Sequence, residues 1–158
     1  MNKNLYQQFM DLEKEYKTLS SEYENNRSFE MAFISIWSIA EHIMKPIASI
    51  SMKNKLQNSL NEWVKYIENP ETKNKPKEFK SFQFEYSSTS IPSIAQIESA
   101  VGPMPKLTTL MDSKGKYRKK RNGIAHRAEK ISETVYGDYK KAVLEALSEL
   151  RNVLEKRS

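Results

Sequence analysis

The residues of this chain best suited to chemistry lie in one short stretch, Arg121-Asn122-Gly123-Ile124-Ala125-His126. His126 is one of only two histidines, and imidazole is the side chain that exchanges protons most readily near neutral pH. Arginine presents a planar fork of N–H donors that matches a phosphate. An arginine close to a histidine could hold a phosphate and move a proton, and RNA cleavage without a metal requires both steps.

The same stretch lies at the end of a basic segment, which we define as Lys114 to Arg127. The segment has no acidic residue and seven basic ones: Lys114, Lys116, Arg118, Lys119, Lys120, Arg121 and Arg127. The whole chain has a formal net charge of +6, so without these seven the remainder carries −1. Such clustering favours an anionic partner, and RNA is our first expectation, although a simple solubilising charge is an open alternative. We expect Arg118, Lys119, Lys120 and Arg127 to bind RNA.

Helical spacing decides which of these side chains can act together. Asn122 and His126 are four residues apart and would share one face of a helix. Arg121 would lie about 140° around the helix from His126, but its long side chain can reach over. A mechanism with two histidines would need two chains, or help from Arg127 or Lys120. By spacing alone, a structural or simple binding role remains open.

Several other chemistries are not supported by the sequence. The chain has no cysteine, no Gly-rich phosphate loop and no His, Asp and Glu residues at metal-ligand spacing, so we expect neither metal nor cofactor. The N-terminal residues do not resemble a signal peptide. The most apolar stretch, 31–50, carries charged residues and Pro46, and is more typical of a buried helix than of a membrane span. We therefore expect a cytoplasmic protein without membrane contact.

Apolar periodicity predicts an all-α protein with a single domain over residues 1–158 and a core from about residue 28 to 156. Helices are expected at about 3–25, 29–48, 52–67, 107–111, 116–128 and 133–156, with a further helix that starts at Ile91-Pro92-Ser93 and stops at Gly102-Pro103. Pro46 is expected to bend or end the second helix. Gly137 makes the first turn of the last helix uncertain.

Residues 70–90 are the least regular part of the chain, with lysines interleaved among aromatic residues. Phe82, Phe84 and Tyr86 alternate at a period of two, which fits a short strand or an extended arm. Such a segment could stack on single-stranded RNA. A loop that its aromatic residues pin to the core is the favoured alternative.

The helix predicted at 29–48 is apolar over most of its circumference, which indicates a central position or an interface with a second chain. Together with the second chain that a two-histidine site would need, this apolar helix leads us to expect a homodimer. Glu41 and His42 interrupt this apolar helix. The simpler interpretation places both on a narrow polar side. The functional interpretation makes Glu41 a supporting residue that faces the basic segment and orients it.

The stretch from Arg121 to His126 resembles the Arg-x4-6-His motif of the HEPN superfamily (higher eukaryotes and prokaryotes nucleotide-binding), in which a polar residue such as Asn122 follows the arginine. The helix with Trp37 and Glu41, the helix start at Ile91-Pro92-Ser93, the break at Gly102 and the long last helix also resemble the order in bacterial HEPN ribonucleases. The resemblance covers roughly residues 28–155.

The resemblance implies a helical bundle that dimerises and forms one composite, metal-independent endoribonuclease site. It implies that Arg121 and His126 are catalytic and that Asn122 supports them. It also implies a role as a toxin or in anti-phage defence, with an antitoxin or regulatory protein as a possible partner. HEPN toxins that are paired with a nucleotidyltransferase antitoxin often carry a tyrosine two residues after the histidine. Here that position is Ala128, so the resemblance does not extend to modification of this site. A non-catalytic RNA-binding or protein-interaction module is the alternative function.

Overall fold

The computed structural model describes residues 4–71, 73–76 and 92–157. Over this part of the chain all regular structure is α-helical. The helices are α1 (Leu5–Asn25), α2 (Phe29–Glu68), α3 (Ile94–Val101), α4 (Pro105–Met111), α5 (Lys116–Arg127) and α6 (Glu133–Glu155). The all-α prediction is confirmed. The possible strand or arm at Phe82, Phe84 and Tyr86 falls outside the described residues.

The first half of α2 forms the centre of the bundle. Helices α1, α3 and α6 pack around it, and α4 packs on α6. The side chains of Phe33, Trp37, Ile39 and Ile43 are fully buried there, as is Phe9 from α1. An apolar helix that is buried on most sides is the arrangement that its sequence predicts.

Our prediction of separate helices at 29–48 and 52–67 is wrong, because α2 continues through Pro46 without a break. Proline in a helix removes one backbone hydrogen bond and typically costs about 3 kcal/mol. Burial of the residues that follow offsets this cost, since Ile47, Ala48 and Ser51 are all buried. The hydroxyls of Ser51 and Ser99 also share a hydrogen bond of 2.6 Å, which attaches this part of α2 to α3.

The remaining helix boundaries agree with prediction to within a few residues. Ser93 caps α3 with a reciprocal pair of hydrogen bonds to Gln96, and α3 ends at Gly102, whose φ of 99° suits glycine. The hydroxyl of Ser132 accepts from the backbone N–H of Val135, so α6 begins with a regular cap and includes Gly137 in its second turn.

The last turns of α2 form an arm whose apolar residues are open to solvent. Leu60, Val64 and Ile67 are 43%, 51% and 71% exposed. By contrast, the single chain already buries most of the residues between 29 and 48. The unusual apolarity of that stretch is therefore explained within one chain and does not by itself require a dimer. No helix of the described part is both long and apolar enough to cross a membrane.

Candidate functional site: the basic helix and its carboxylates

Helix α5 carries the basic segment and rests on the bundle through Tyr117 and Ile124, which pack against the core, and through polar contacts. Gly123 is its only buried residue. At its start, the Arg118 guanidinium donates to the carbonyl of Met111 at 3.0 Å, which ties α5 to the end of α4. The Tyr117 ring meets that of Tyr139 edge-on at 5.0 Å, which ties α5 to α6. The position of α5 thus depends on a few specific side-chain contacts.

Arg121 is held by a carboxylate of the central helix. Its Nη2 donates to Glu41 Oε2 at 2.7 Å, and Trp37 Nε1 donates to the other carboxylate oxygen at 2.7 Å. The side chains of Glu41 and Arg121 are only 15% and 21% exposed. Because Trp37 is fully buried, it fixes Glu41, and Glu41 in turn fixes the guanidinium. Glu41 therefore faces the basic segment, as the functional interpretation of the sequence expects.

A shallow pocket of about 310 Å³, which Arg121 does not line, lies on the surface of α5. It is lined by Lys119, Asn122, His126 and Arg127. Asn122 connects the pocket to the arginine, since its Oδ1 accepts from Arg121 Nη1 at 3.2 Å. His126 is exposed on this surface. The pocket therefore contains the His126 imidazole, the Asn122 amide and two cations. The Asn122 amide is also hydrogen-bonded to the Arg121 guanidinium.

A second carboxylate, that of Glu129, lies against α5 next to the pocket. Its Oε2 lies 3.0 Å from Lys120 Nζ, and its Oε1 lies 2.7 Å from Arg127 Nη2. The hydrogen bond from Lys120 and the charges of Lys120 and Arg127 hold the pKa of Glu129 below its usual value, although desolvation opposes them. Glu129 is therefore an anion that binds two of the cations we expected to contact RNA.

Glu129 reaches these cations because the chain reverses directly after α5. Ala128 adopts a left-handed conformation with φ of 52°, and the backbone N–H of Glu129 donates to the carbonyl of Gly123 at 3.2 Å. The Glu129 carboxyl group then lies over Gly123, where a Cβ would come within 2.3–2.4 Å of it. Glycine at position 123 leaves the room that this packing needs.

The structure divides the predicted site residues into three groups. Asn122 and His126 line the pocket together with Lys119 and Arg127, and Asn122 links Arg121 to it. Lys120 does not line the pocket and pairs with Glu129, as Arg127 also does. Arg118 is half-buried and donates to a backbone carbonyl. Of the four predicted RNA-binding cations, only Lys119 has a side chain that makes no hydrogen bond or ion pair within the described part of the chain.

Sequence reasoning missed Glu129. We defined the basic segment as ending at Arg127, two residues before it. A usable signal was present, because Glu129 is the first acidic residue after the run of cations. The contact itself depends on the left-handed turn at Ala128, which a non-glycine residue rarely adopts and which no pattern indicates.

A second opening lies between α1 and α2, away from α5. It is lined by Gln8, Asp11, Leu12, Glu15, His42, Pro46 and Ser49. The ring of His42 meets that of Tyr16 edge-on, with the centroids 5.3 Å apart. The two histidines of the chain therefore belong to separate surfaces. In the described part of the chain, no three His, Asp or Glu side chains lie close enough together to hold a metal ion.

Comparisons of the chain with protein-family models, with curated proteins and with solved structures found no significant match. The function of this chain is therefore inferred from the chemistry of its residues and from the Arg121-to-His126 motif.

Proposed function

We propose that this chain is a metal-independent endoribonuclease of the HEPN type, with Arg121 and His126 as its catalytic residues. The observation that carries the proposal is the fixed guanidinium of Arg121. It is bound to Glu41 at 2.7 Å, and Asn122 joins it to the pocket that contains His126. A cation that only solubilises the protein needs no buried carboxylate to orient it. For an arginine that binds phosphate such a carboxylate is useful, because orientation before binding reduces the loss of entropy.

The reaction would use the RNA's own 2′-hydroxyl as nucleophile. A base removes the hydroxyl proton, the oxygen attacks the adjacent phosphorus, and the bond from phosphorus to the 5′-oxygen breaks. An acid returns a proton to that 5′-oxygen. The products are a 2′,3′-cyclic phosphate and a 5′-hydroxyl. His126 serves as acid or base, and Arg121 stabilises the negative charge that develops on the phosphate.

One chain supplies one imidazole to this pocket, whereas the reaction needs both an acid and a base. We propose that a second copy completes the site, so that two pockets face each other across a two-fold axis. The exposure of Asn122 and His126 leaves them accessible to such a partner. A role in toxicity or anti-phage defence, with a regulatory protein that controls the activity, follows from the resemblance and belongs to the same proposal.

The decisive experiment incubates a labelled RNA with the protein in the presence of EDTA. The wild-type protein should cleave it and leave 2′,3′-cyclic phosphate and 5′-hydroxyl ends. Arg121→Ala and His126→Ala should each lower the rate by about two to four orders of magnitude, as loss of an acid–base group or a charge-stabilising contact does. His42→Ala is the matched control, because this second histidine lies on another surface.

Thermal unfolding of the same proteins separates catalysis from stability. His126 is exposed, so His126→Ala should unfold at nearly the wild-type temperature. If folded Arg121→Ala or His126→Ala protein cleaves as well as wild type, these residues are not catalytic. If the wild-type protein binds RNA without cleaving it, the chain is the non-catalytic RNA-binding module that we considered as the alternative.

A further inference from the structure

Two cations of the basic helix, Lys120 and Arg127, already share an ion-pair partner within the chain. Lys120 and Arg127 are seven residues apart, which places them on one side of α5, two turns from each other. One carboxylate, that of Glu129, accepts from both, through a different oxygen for each. The spacing of the two cations therefore suits an anion that offers two oxygen atoms.

The carboxylate is accessible rather than buried within the bundle. The Glu129 side chain is 34% exposed, and those of Lys120 and Arg127 are 28% and 69% exposed. Ion pairs at such exposure contribute little to stability. Glu129 can therefore swing away from both cations without unfolding α5, and an external anion can take its place.

We infer that Lys120 and Arg127 form a phosphate-binding subsite, and that the Glu129 carboxylate occupies this subsite until an RNA phosphate displaces it. This inference rests on the proposed function, because it assumes that RNA is the ligand of α5. A phosphate oxyanion resembles a carboxylate in presenting paired acceptor oxygens, and it suits the same donors. Glu129 is thus an internal competitor of the RNA backbone.

The arrangement predicts how the protein discriminates among anions. A ligand that offers a single phosphate must compete with a carboxylate that is permanently close by. An RNA strand bound at the neighbouring pocket presents its next phosphate at a high local concentration, and this favours displacement of Glu129. The subsite therefore disfavours small phosphates and fills only when a longer strand is already held at Lys119, Asn122 and His126.

Two substitutions dislodge the carboxylate by different means. Glu129→Gln removes its charge. Gly123→Ala leaves the charge in place but puts a methyl group within 2.3–2.4 Å of the carboxyl position, so the side chain must move. Each has a matched control. Glu133→Gln removes a nearby exposed carboxylate that pairs with Arg27, and Gly137→Ala adds a methyl group to a helix where nothing lies within 4 Å.

The measurement is the affinity of each protein for a short fluorescent RNA in which every 2′-hydroxyl is methylated. Such RNA lacks the nucleophile of the proposed reaction, so it remains intact during titration. Glu129→Gln and Gly123→Ala should each bind it about two- to tenfold more tightly, the range expected when one or two exposed ion pairs no longer compete. The dependence on salt for Glu129→Gln should be steeper by about 0.7 for each cation that is freed.

The control variants distinguish failure of the phosphate-binding subsite from failure of the proposed function. If Glu133→Gln tightens binding as much as Glu129→Gln, the effect is one of net charge and the subsite is wrong. If the wild-type protein binds RNA but neither Glu129→Gln nor Gly123→Ala binds more tightly, the subsite is also wrong, while the proposed function stands. If no protein in the series binds RNA at low salt, both the subsite and the proposed function are overturned.

Discussion

Glu41 and Arg121, eighty positions apart in the chain, are joined by a hydrogen bond of 2.7 Å between Oε2 and Nη2. Both side chains are largely buried, and Arg121 Nε is buried without a hydrogen-bond partner among the described residues. A buried N–H without a partner is unfavourable. The guanidinium is thus held in one orientation by Glu41, although its hydrogen-bonding capacity is not fully used.

The first prediction concerns Glu41 as a positioning residue. Glu41→Gln keeps an acceptor for Trp37 but removes the charge that orients Arg121. We expect kcat for RNA cleavage to fall about 10- to 100-fold, because small errors in the placement of a catalytic group are costly. The thermal unfolding temperature should fall only slightly, since the isosteric amide fills the same space.

Separate values of kcat and KM, together with thermal unfolding, test this role. Glu133→Gln is the control, because it breaks an ion pair between two exposed side chains, those of Glu133 and Arg27. A Glu41→Gln protein with wild-type kcat would contradict the prediction if Arg121→Ala is inactive. A large loss of stability with unchanged kcat would make Glu41 a structural residue only.

The second prediction compares two adjacent lysines. Lys119 is exposed and lines the pocket, whereas Lys120 lies 3.0 Å from the Glu129 carboxylate. Lys119→Ala should make the plot of log affinity for single-stranded RNA against log salt shallower by about 0.7, the value for one lost phosphate contact. Lys120→Ala should change it less, because the charge of Lys120 is partly offset before RNA binds. If Lys119→Ala and Lys120→Ala change this slope equally, the proposed difference between the two lysines is wrong.

The third prediction concerns assembly. If two pockets face each other across a two-fold axis, a carboxylate at an exposed position of α5 would meet its own copy. Ala125→Glu should therefore shift the mass from dimer to monomer in light scattering at micromolar concentration. Val64→Glu, on the exposed arm of α2, should leave a dimer. A monomeric wild-type protein would contradict the composite site. Dissociation by Val64→Glu alone would place the interface on the arm.

Sequence periodicity predicted most helices, because each has its own apolar stripe and a recognisable boundary. Ser93 and Gly102 illustrate this, since local chemistry at these positions decides where α3 begins and ends. Pro46 shows the limit of such rules. Whether a helix survives a proline depends on what the next turns bury, and that is set by contacts with α3, which is distant in sequence.

At the candidate site, too, relations within one helix could be predicted from the sequence, whereas contacts between helices could not. The spacing of Asn122 and His126 correctly placed both on one pocket, since an α-helix fixes that relation. Periodicity does not predict which groups bind the three other cations. Arg118 donates to the Met111 carbonyl of α4, Lys120 pairs with Glu129 beyond the left-handed turn, and Arg121 pairs with Glu41 of α2. Those contacts arise from packing rather than from periodicity.

The last prediction concerns stability in acid. Glu13 of α1 is 5% exposed and is bound by Lys17 and by Arg151 of α6. Burial alone would raise the pKa of Glu13, but the hydrogen bonds from Lys17 and Arg151 hold it below the ordinary value of 4.5. Because the folded-state pKa is depressed, this stabilisation is complete above the unfolded-state pKa. It is lost as the pH falls through the lower, folded-state value.

The free energy of unfolding in urea should therefore be nearly constant from neutral pH to about pH 5 and then fall as the pH decreases further. Glu13→Gln should be less stable than wild type at neutral pH by about 1–3 kcal/mol, since the side chain of Glu13 is almost fully buried and its hydrogen bonds to Lys17 and Arg151 would lose the carboxylate charge. Its stability should then decline less steeply in acid, because one titrating group is missing. If Glu13→Gln and wild type lose stability in parallel below pH 4.5, protonation of Glu13 does not drive the acid transition.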